Sequence, residues 1–458
     1  MPRALLAAAL AATLLVPAAA SADPVQKAGG RIVQKATDQV ASSCRREPVR
    51  RDECGVLLRT PDASKAAVYA YEASEVSRAL DLQRALGDGL PLQAGLWIGT
   101  HNSANSTSES PTLSQNDSNQ QLSLTDQLRL DVRSLELDAH WFPSLRSPGQ
   151  APVLCHALPN HAGCTTERLL SQGLAEVAVW LRAHPDEVVL LYLEDHLDGQ
   201  EGHDRAAREV REAFGERLYA PAGGECTPLP LTLTRDAVRA AGAQVVVMTG
   251  GCRKGVGTSW HGVAFAETQR KEDRPVGYGR YPRCGGADLA REDGLFRRYF
   301  EDSTAVNALT SPTGATTPDD GITPETAGAM TRCGVDLLGL DQLVPGDGRL
   351  EALVWSFAPG ELGAPTGWHA VQRFTDGRWE STPDRAPRPA ACQLPDGSWA
   401  VSAPAPRASA AEACAERGGV FAVPRRGLDA QLLLRAQRTA RAGQVWLALD
   451  SLGGGRWA

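Results

Sequence analysis

Two histidines, three carboxylates and one asparagine are the residues of this sequence best suited to do chemistry together. They are His101, Asn102, Glu136, Asp138, His156 and Glu194. Carboxylates gathered in apolar surroundings each cost several kcal/mol, or take up protons, unless a cation balances their charge. Oxygen ligands favour Ca²⁺ or Mg²⁺ over zinc. We therefore predict a Ca²⁺ or Mg²⁺ site with Asn102, Glu136, Asp138 and Glu194 as its ligands.

The two histidines lie outside this ligand set and suit acid–base chemistry at phosphorus. The pKa of an imidazole lies near neutrality, so His101 and His156 can give or take a proton on either side of an in-line displacement. A cation beside them would polarise a phosphoryl oxygen and lower the pKa of an attacking hydroxyl. The pattern predicts metal-assisted acid–base chemistry at phosphorus.

Other interpretations of the same residues stay open. Each histidine could be a structural residue of the core. The two acids of the second predicted strand could form ion pairs with Arg129 or Arg133. His140 and His196 could lie beside the site without taking part in it.

These residues can meet only if the strands that carry them end at the same edge of a sheet. The hydrophobic pattern predicts such strands. Apolar runs predict strands at 96–99, 132–141, 152–156, 187–194, 243–248, 263–266 and 335–340. Helical periodicity predicts helices at 65–86, 167–183, 204–214, 287–300, 324–332 and 350–355. Strands alternating with helices are typical of a parallel α/β sheet covered on both faces. Their number fits a distorted TIM-type (β/α) barrel, in which the C-terminal strand ends meet at one mouth.

The chain divides into an export signal and three further parts. Residues 1–22 have the pattern of a signal peptide, with Arg3 before an apolar segment and small residues at 20–22. An N-terminal helical extension is expected at 23–92 and the barrel at 93–365. Residues 366–458 are rich in Pro, Gly and Trp and predict a small, disulfide-tied, β-rich module. A stretch at 410–449 resembles half of a C-type lectin-like domain, with a structural cap on the barrel as the alternative.

Charge and cysteine content restrict the partners and the compartment. The net charge of −7 argues against a nucleic-acid-binding protein. No segment after the signal is apolar for long enough to span a bilayer, so we expect a secreted monomer. Calcium is abundant outside the cell, which suits an open site. The ten cysteines predict disulfides between neighbours in the sequence, namely Cys44–Cys54, Cys155–Cys164, Cys226–Cys252, Cys284–Cys333 and Cys392–Cys414.

Several motifs in series carry a resemblance to a known family over roughly residues 93–360. They are Gly99-Thr100-His101-Asn102-Ser103, Gln127-Leu128-Arg129 with Val132-Arg133 and Glu136-Leu137-Asp138, Cys155-His156, Tyr192-Leu193-Glu194-Asp195-His196, and the segments 338–343 and 354–356. Together they resemble the X-domain of phosphatidylinositol-specific phospholipase C. Metal-free bacterial members carry an arginine two residues after the acid of the second strand. Asp138 stands there instead, which resembles the calcium-dependent branch.

This resemblance implies a reaction and a role for each residue. An inositol 2-hydroxyl attacks the phosphodiester of a phospholipid at a membrane surface, and diacylglycerol and a cyclic inositol phosphate result. The resemblance implies that His101 stabilises the pentacoordinate phosphoryl group and that His156 protonates the leaving oxygen. It also implies Glu136 as the base for the hydroxyl and Asp341 as the residue that orients His101.

Two departures and two rival functions complete the interpretation. Ala157 stands where a glycine is common, and a polar insert at 105–121 is expected to form a flexible loop at the rim. The first rival is a metal phosphodiesterase of the sphingomyelinase D or glycerophosphodiesterase type, since such barrels also use two histidines with a Glu-x-Asp pair. The second rival is a non-catalytic secreted binding protein whose barrel supports the C-terminal module.

Overall fold

The computed structural model describes residues 63–108, 118–156, 164–222, 226–253, 258–266, 269–271, 296–301, 322–335 and 337–458. The predicted signal peptide and the predicted Cys44–Cys54 disulfide lie outside these residues. No helix among the described residues is long and apolar enough to cross a membrane.

A large, mostly parallel sheet forms the centre of the molecule. Its strands are β1 Trp97–Thr100, β2 Ser134–Pro143, β3 Gln150–Leu154, β4 Arg168–Leu169, β5 Val189–His196, β6 Val245–Thr249, β7 Phe265–Ala266, β8 Gln269–Lys271, β9 Phe296–Phe300 and β10 Leu337–Leu340. The hydrogen-bonded order is β7-β6-β5-β2-β1-β10-β9-β8. The last strand, β10, therefore returns to pair with the first, and the sheet curls as in a distorted TIM-type barrel. The predicted fold class is confirmed.

One predicted barrel strand runs the other way. β3, which we expected at 152–156 as a barrel strand, pairs antiparallel with β2 and with the short β4. The turn between β2 and β3 is too short for the crossover that a parallel connection needs. β3 is thus an antiparallel strand that pairs with the C-terminal half of β2, and it is not one of the parallel strands of the barrel.

Eight helices pack around the described part of this sheet or precede it. They are α1 Lys65–Glu72, α2 Glu75–Gly87, α3 Leu124–Arg129, α4 Leu170–Ala183, α5 Gly199–Phe214, α6 Arg235–Ala240, α7 Pro324–Arg332 and α8 Gly348–Ala352. The single helix predicted at 65–86 is two helices, because the Ser74 hydroxyl accepts from the amide of Ser77 and caps a new helix. The helix predicted at 287–300 is wrong in its last residues, since β9 pairs there with β10. Tertiary pairing overrides local propensity in such short segments.

The period of two along the strands separates two apolar layers. Leu190 and Tyr192 of β5 pack with Trp97, Val246 and Met248 on one face of the sheet. The alternate residues of the same strands pack with helices α4 and α5 on the other face. Each buried aliphatic side chain contributes about 1.5–3 kcal/mol. Burial on both faces leaves the strand ends as the place for polar side chains.

The C-terminal module is a pair of small antiparallel sheets with two helices. Its strands are β11 His369–Arg373, β12 Trp379–Thr382, β13 Ala391–Gln393, β14 Trp399–Val401, β15 Val420–Phe421, β16 Gln444–Gly453 and β17 Arg456–Trp457, and its helices are α9 Ala410–Ala415 and α10 Gly427–Thr439. Trp379 is fully buried and packs edge-on against Trp355 and Phe357, with ring centroids 5.4 Å apart in both cases. The module therefore shares a core with the barrel.

Three of the predicted disulfides are confirmed. Cys155 bonds to Cys164, Cys226 to Cys252 and Cys392 to Cys414. Cys333 is also disulfide-bonded, whereas its predicted partner, Cys284, lies outside the described residues.

Candidate active site

Parallel strands bring the predicted site residues to one edge of the sheet. His101 directly follows β1 and Asp341 directly follows β10, and these two strands pair in register. β2 carries Glu136 and Asp138, and Asp138 lies opposite Glu194 of β5. The C-terminal ends of these strands form one mouth, as expected for a barrel.

His101 lies between carboxylates on both sides of its ring. Its Nδ1 is 3.3 Å from Asp341 Oδ1, and its Nε2 is 3.8 Å from Glu136 Oε2. Burial alone would lower the pKa of this imidazole. The charge and hydrogen bond of Asp341, together with the charges of Glu136 and Asp138, outweigh burial and raise the pKa of His101 to about 10. At neutral pH His101 is therefore a cation.

His156 has a different environment, composed of amides. Its Nδ1 is 3.1 Å from the amide nitrogen of Asn102, 3.2 Å from that of Asn105 and 3.2 Å from Asn119 Oδ1. Asn119 donates through its own amide nitrogen to Asp341 Oδ2 over 3.2 Å. Because a carboxylate only accepts, this contact fixes which end of the Asn119 amide faces His156. One asparagine thus connects the surroundings of both histidines.

Asn102 takes a backbone conformation that few residues adopt. Its φ is +45°, in the left-handed region that asparagine tolerates better than most side chains. In this conformation its backbone N–H donates to Glu136 Oε2 over 3.2 Å, while its side chain faces His156 and Asn119. Asn102, in the turn after β1, therefore contacts Glu136 through its backbone and His156 through its side chain.

Asp138 and Glu194 form a carboxylate pair with His196 beside it. One ligand atom from each of these residues lies within 4.8 Å of the other two, which is close enough to share a metal ion. Burial and the neighbouring Glu194 raise the pKa of Asp138 well above its usual range. A hydrogen bond from His196 lowers the pKa of Glu194 to about 2. His196 also stacks on His140, with ring centroids 4.4 Å apart.

Glu136 lies deeper than this carboxylate pair. Its side chain is 4% exposed, and burial raises its pKa, while His101 and Arg298 oppose that rise. The guanidinium of Arg298, on β9, lies 4.7 Å from the Phe300 ring centroid and 5.4 Å from that of Tyr192, the residue opposite Glu136. Arg298 thus places a positive charge near the Glu136 carboxylate and opposes the rise in its pKa.

Asp341 is held by a buried network that the sequence did not reveal. Glu301 Oε2 accepts from the Asp341 amide over 2.7 Å, and Arg349 donates to the Asp341 carbonyl over 2.8 Å. Arg349, 1% exposed, also pairs with Glu301. Gln120 donates to Asp341 Oδ1 over 3.3 Å. These contacts fix the turn after β10 and so the carboxylate that faces His101.

The described ends of the polar insert are part of this network. Asn119 and Gln120 are fully buried, so the expectation of a flexible rim loop is wrong for them. Their amides satisfy buried backbone and carboxylate groups, which a mobile loop could not do. Insert residues 109–117, and Ala157, lie outside the described residues. A Ser/Asn/Gln-rich composition alone does not distinguish a solvated loop from a buried amide cluster.

The predicted residues thus fall into two neighbouring groups. His101 contacts Glu136 and Asp341, and Asn102 joins this group to His156. Asp138 and Glu194 form the second group with His196, which was not among the predicted ligands. That Asn102, Glu136, Asp138 and Glu194 act as one ligand set stays a prediction.

The alternative ion pairs at Arg133 and Arg129 are not formed. Arg133 pairs with Glu187 over 2.6 Å, and Arg129 lies within 4.0 Å of Glu72 and Asp126. Glu136 and Asp138 are therefore not paired with these two arginines and can take part in the candidate active site.

Comparison with known proteins gives one family. The profile described as Rv2075c PI-PLC-like domain matches residues 57–347 of the chain. Two Mycobacterium tuberculosis proteins, uncharacterized protein MT2135 and uncharacterized protein Rv2075c, are each 42% identical to it over 417 residues, covering 86% of this chain and 83% of theirs.

Solved structures with some likeness include two bacterial lipases. The phosphatidylinositol-specific phospholipase C from Listeria monocytogenes is 16% identical with a TM-score of 0.41, covering 60% of this chain and 97% of that one. A calcium-dependent phosphoinositol-specific phospholipase C from Pseudomonas sp. is 16% identical with a TM-score of 0.29, covering 41% and 68%.

Proposed function

Because the chain belongs to the Rv2075c PI-PLC-like domain family, we propose that it is a secreted, calcium-dependent phosphodiesterase of phosphatidylinositol-type lipids. The products would be diacylglycerol and a cyclic inositol phosphate. The observation that carries this proposal is the pair of histidines with opposite surroundings, His101 among carboxylates and His156 among amides, at the mouth that also holds Glu136 and Asp138.

The difference between the two histidines suits two different roles. His101 stays protonated at neutral pH, so it can stabilise negative charge that develops on a phosphoryl oxygen. Its carboxylate partner Asp341 holds the ring by its Nδ1, which leaves Nε2 on the side of Glu136. Glu136 accepts the proton of the attacking hydroxyl, since it is buried yet balanced by the charges of His101 and Arg298.

His156 can both lose and regain a proton without losing its hydrogen bonds. When Nδ1 is unprotonated it accepts from the amide of Asn102 or Asn105, and when it is protonated it donates to Asn119 Oδ1. Both ring states therefore find a partner, which a residue that donates a proton to a leaving oxygen requires.

The residues at the edge of the mouth fit a divalent cation. Asp138 Oδ1 is buried without a hydrogen-bond partner in the described structure, and two carboxylates within coordination distance of each other are stabilised by a bound cation. Asp138 and Glu194 would hold the ion, with Glu136 and Asn102 as the further ligands expected from the sequence. Calcium bound there would polarise a phosphoryl oxygen and lower the pKa of a coordinated hydroxyl.

The proposal also states where the protein acts and which class of substrate it cleaves. The N-terminal signal pattern and the disulfides suit an extracellular protein, since disulfides persist in oxidising compartments. The substrate would be a phospholipid at a membrane surface, reached by a monomer.

A headgroup panel tests the proposed function. The full chain is incubated with phosphatidylinositol, sphingomyelin, lysophosphatidylcholine and glycerophosphodiesters, each with calcium and with chelator. We expect cyclic inositol phosphate from phosphatidylinositol in calcium only. Release of choline or cyclic lysophosphatidate would assign the chain to another phosphodiesterase class. No turnover of any substrate in calcium would favour a binding protein.

A further inference from the structure

A cluster of arginines surrounds a small cavity at the end of the barrel opposite the candidate active site. The charged lining residues are Arg84, Arg133, Arg235, Arg425, Arg426 and Asp131. The cavity also touches Gly95 and Leu96, which precede β1, whereas His101 follows β1. Its volume is about 20 Å³. It lies where α2, α6 and the C-terminal module meet the barrel.

The arginines of this cluster divide by whether they have a carboxylate partner. Arg84 pairs with Asp131 over 2.9 Å, Arg133 with Glu187 over 2.6 Å and Arg426 with Asp429 over 3.1 Å. In the part of the chain that the structure describes, no carboxylate oxygen lies within 4.0 Å of the guanidinium of Arg235 or of Arg425, although the backbone amide of Arg425 donates to Asp429 Oδ2 over 3.3 Å. The cavity lining is thus rich in arginine, while the acids that balance Arg84, Arg133 and Arg426 leave the guanidinium groups of Arg235 and Arg425 without a direct carboxylate contact.

Arg235 is the most confined of these cations. It is 4% exposed, and its Nε has no hydrogen-bond partner among the described residues. Nη2 donates to the Leu96 carbonyl over 3.0 Å, and the guanidinium lies 4.0 Å from the Trp97 ring centroid. A carbonyl and an aromatic face offset part of the cost of burial. A buried guanidinium without a counter-charge remains costly.

The neighbouring charges act in both directions. Burial lowers the pKa of Arg235 to about 10, the cations Arg84 and Arg133 act in the same direction, and the carboxylates of Asp88 and Glu187 oppose them without contacting the guanidinium. Arg235 still carries its charge at neutral pH. The cheapest way to stabilise it is an anion in the cavity that its own side chain lines.

We propose that this cavity binds a single monatomic anion, such as chloride, held by Arg235 and Arg425. The volume of the cavity distinguishes a monatomic anion from a larger tetrahedral anion. A site for one water-sized particle needs about 10–15 Å³, so a cavity of about 20 Å³ takes a halide or a water but not a tetrahedral phosphate or sulfate. A water would satisfy hydrogen bonds without supplying a direct counter-charge to the guanidinium groups of Arg235 and Arg425. The anion would join α6 to the C-terminal module through Arg235 and Arg425.

Thermal unfolding of the full chain in matched salts tests this proposal. At constant ionic strength, sodium gluconate is replaced stepwise by sodium chloride or sodium bromide. We expect Tm to rise by roughly 2–5 °C and to saturate, because a ligand of the native state alone stabilises by mass action. Sodium phosphate at the same ionic strength should not reproduce the rise. Equal Tm values in gluconate and chloride would overturn the proposal, and so would a larger rise in phosphate.

Variants and a crystallographic probe locate the anion. Arg235→Met should abolish the chloride dependence of Tm, whereas the exposed Arg456→Gln should retain it. If Arg235→Met does not fold, Arg425→Gln serves as the second variant, with the same expectation. Crystals grown in bromide should show an anomalous peak beside Arg235. A bromide peak elsewhere, or none, would refute the assignment. The phosphodiesterase assay is independent of these readouts.

Discussion

Replacing Asp341 with asparagine removes the carboxylate closest to His101 while keeping the size of the side chain. In the wild-type chain the pKa of His101 rises from 6.5 to about 10, with Asp341 as the largest cause that raises it. Each pKa unit corresponds to about 1.4 kcal/mol, so the carboxylates favour the imidazolium by about 4–5 kcal/mol after burial has opposed them. Loss of one neighbouring opposite charge typically lowers such a pKa by about 1–3 units.

The direction of the effect on activity follows from the proposed role of His101. If its charged form stabilises the phosphoryl group, activity requires protonation and declines as pH rises through the pKa of His101. The alkaline limb of kcat/KM in the wild type should therefore lie well above the ordinary pKa of an imidazole, with Asp341 as its main cause even when calcium occupies Glu136 and Asp138. In Asp341→Asn it should move to lower pH by about 1–3 units.

The assay is kcat/KM on phosphatidylinositol from pH 6 to 11 with saturating calcium. The matched control is Asp450→Asn, which removes a carboxylate 2.7 Å from His369 in the C-terminal module. Its pH profile should coincide with that of the wild type. An alkaline limb in Asp341→Asn that stays in place, or moves to higher pH, would refute the reasoning.

Four further expectations concern the second histidine, the carboxylate pair, the histidine beside that pair and the shared core. His156→Ala should lower kcat by about 10²–10⁴-fold, the usual scale for a general acid, while His369→Ala leaves kcat unchanged; wild-type turnover in His156→Ala would remove the role. Asp138→Asn should raise the calcium concentration needed for half-maximal activity, measured by titration. An unchanged requirement would take Asp138 out of the ligand set. His196→Ala should affect calcium less than Mn²⁺, measured by calorimetry, because calcium prefers oxygen ligands. Trp379→Ala should lower the free energy of unfolding in urea by about 3–5 kcal/mol, whereas a change below 1 kcal/mol would argue that the module and barrel do not share a core.

Local patterns account for what the sequence predicted correctly. The apolar runs before His101 and around Glu194 have the strand period, and a parallel α/β arrangement brings such strand ends to one edge. The pairing of neighbouring cysteines follows from short chain separation, which makes loop closure easy. These features depend on residues close in sequence, so the sequence alone determined them.

Other features depend on groups that meet only in the folded chain. β9 becomes a strand because β10 lies beside it, and β3 runs antiparallel because its connection to β2 is short. Asn119 contacts Asp341, which is 222 residues away along the chain, and Arg349 reaches Glu301 at a separation of 48. No periodicity connects such positions.

By itself, the sequence determined the barrel, the two histidines and the acids at the strand ends, because each follows from a local alternation of apolar and polar residues. Only the tertiary structure decided that the pKa of His101 is raised, which acids pair, and that the guanidinium of Arg235 is buried without a carboxylate contact. Electrostatic effects depend on distance and burial in three dimensions, and neither can be obtained from residue order.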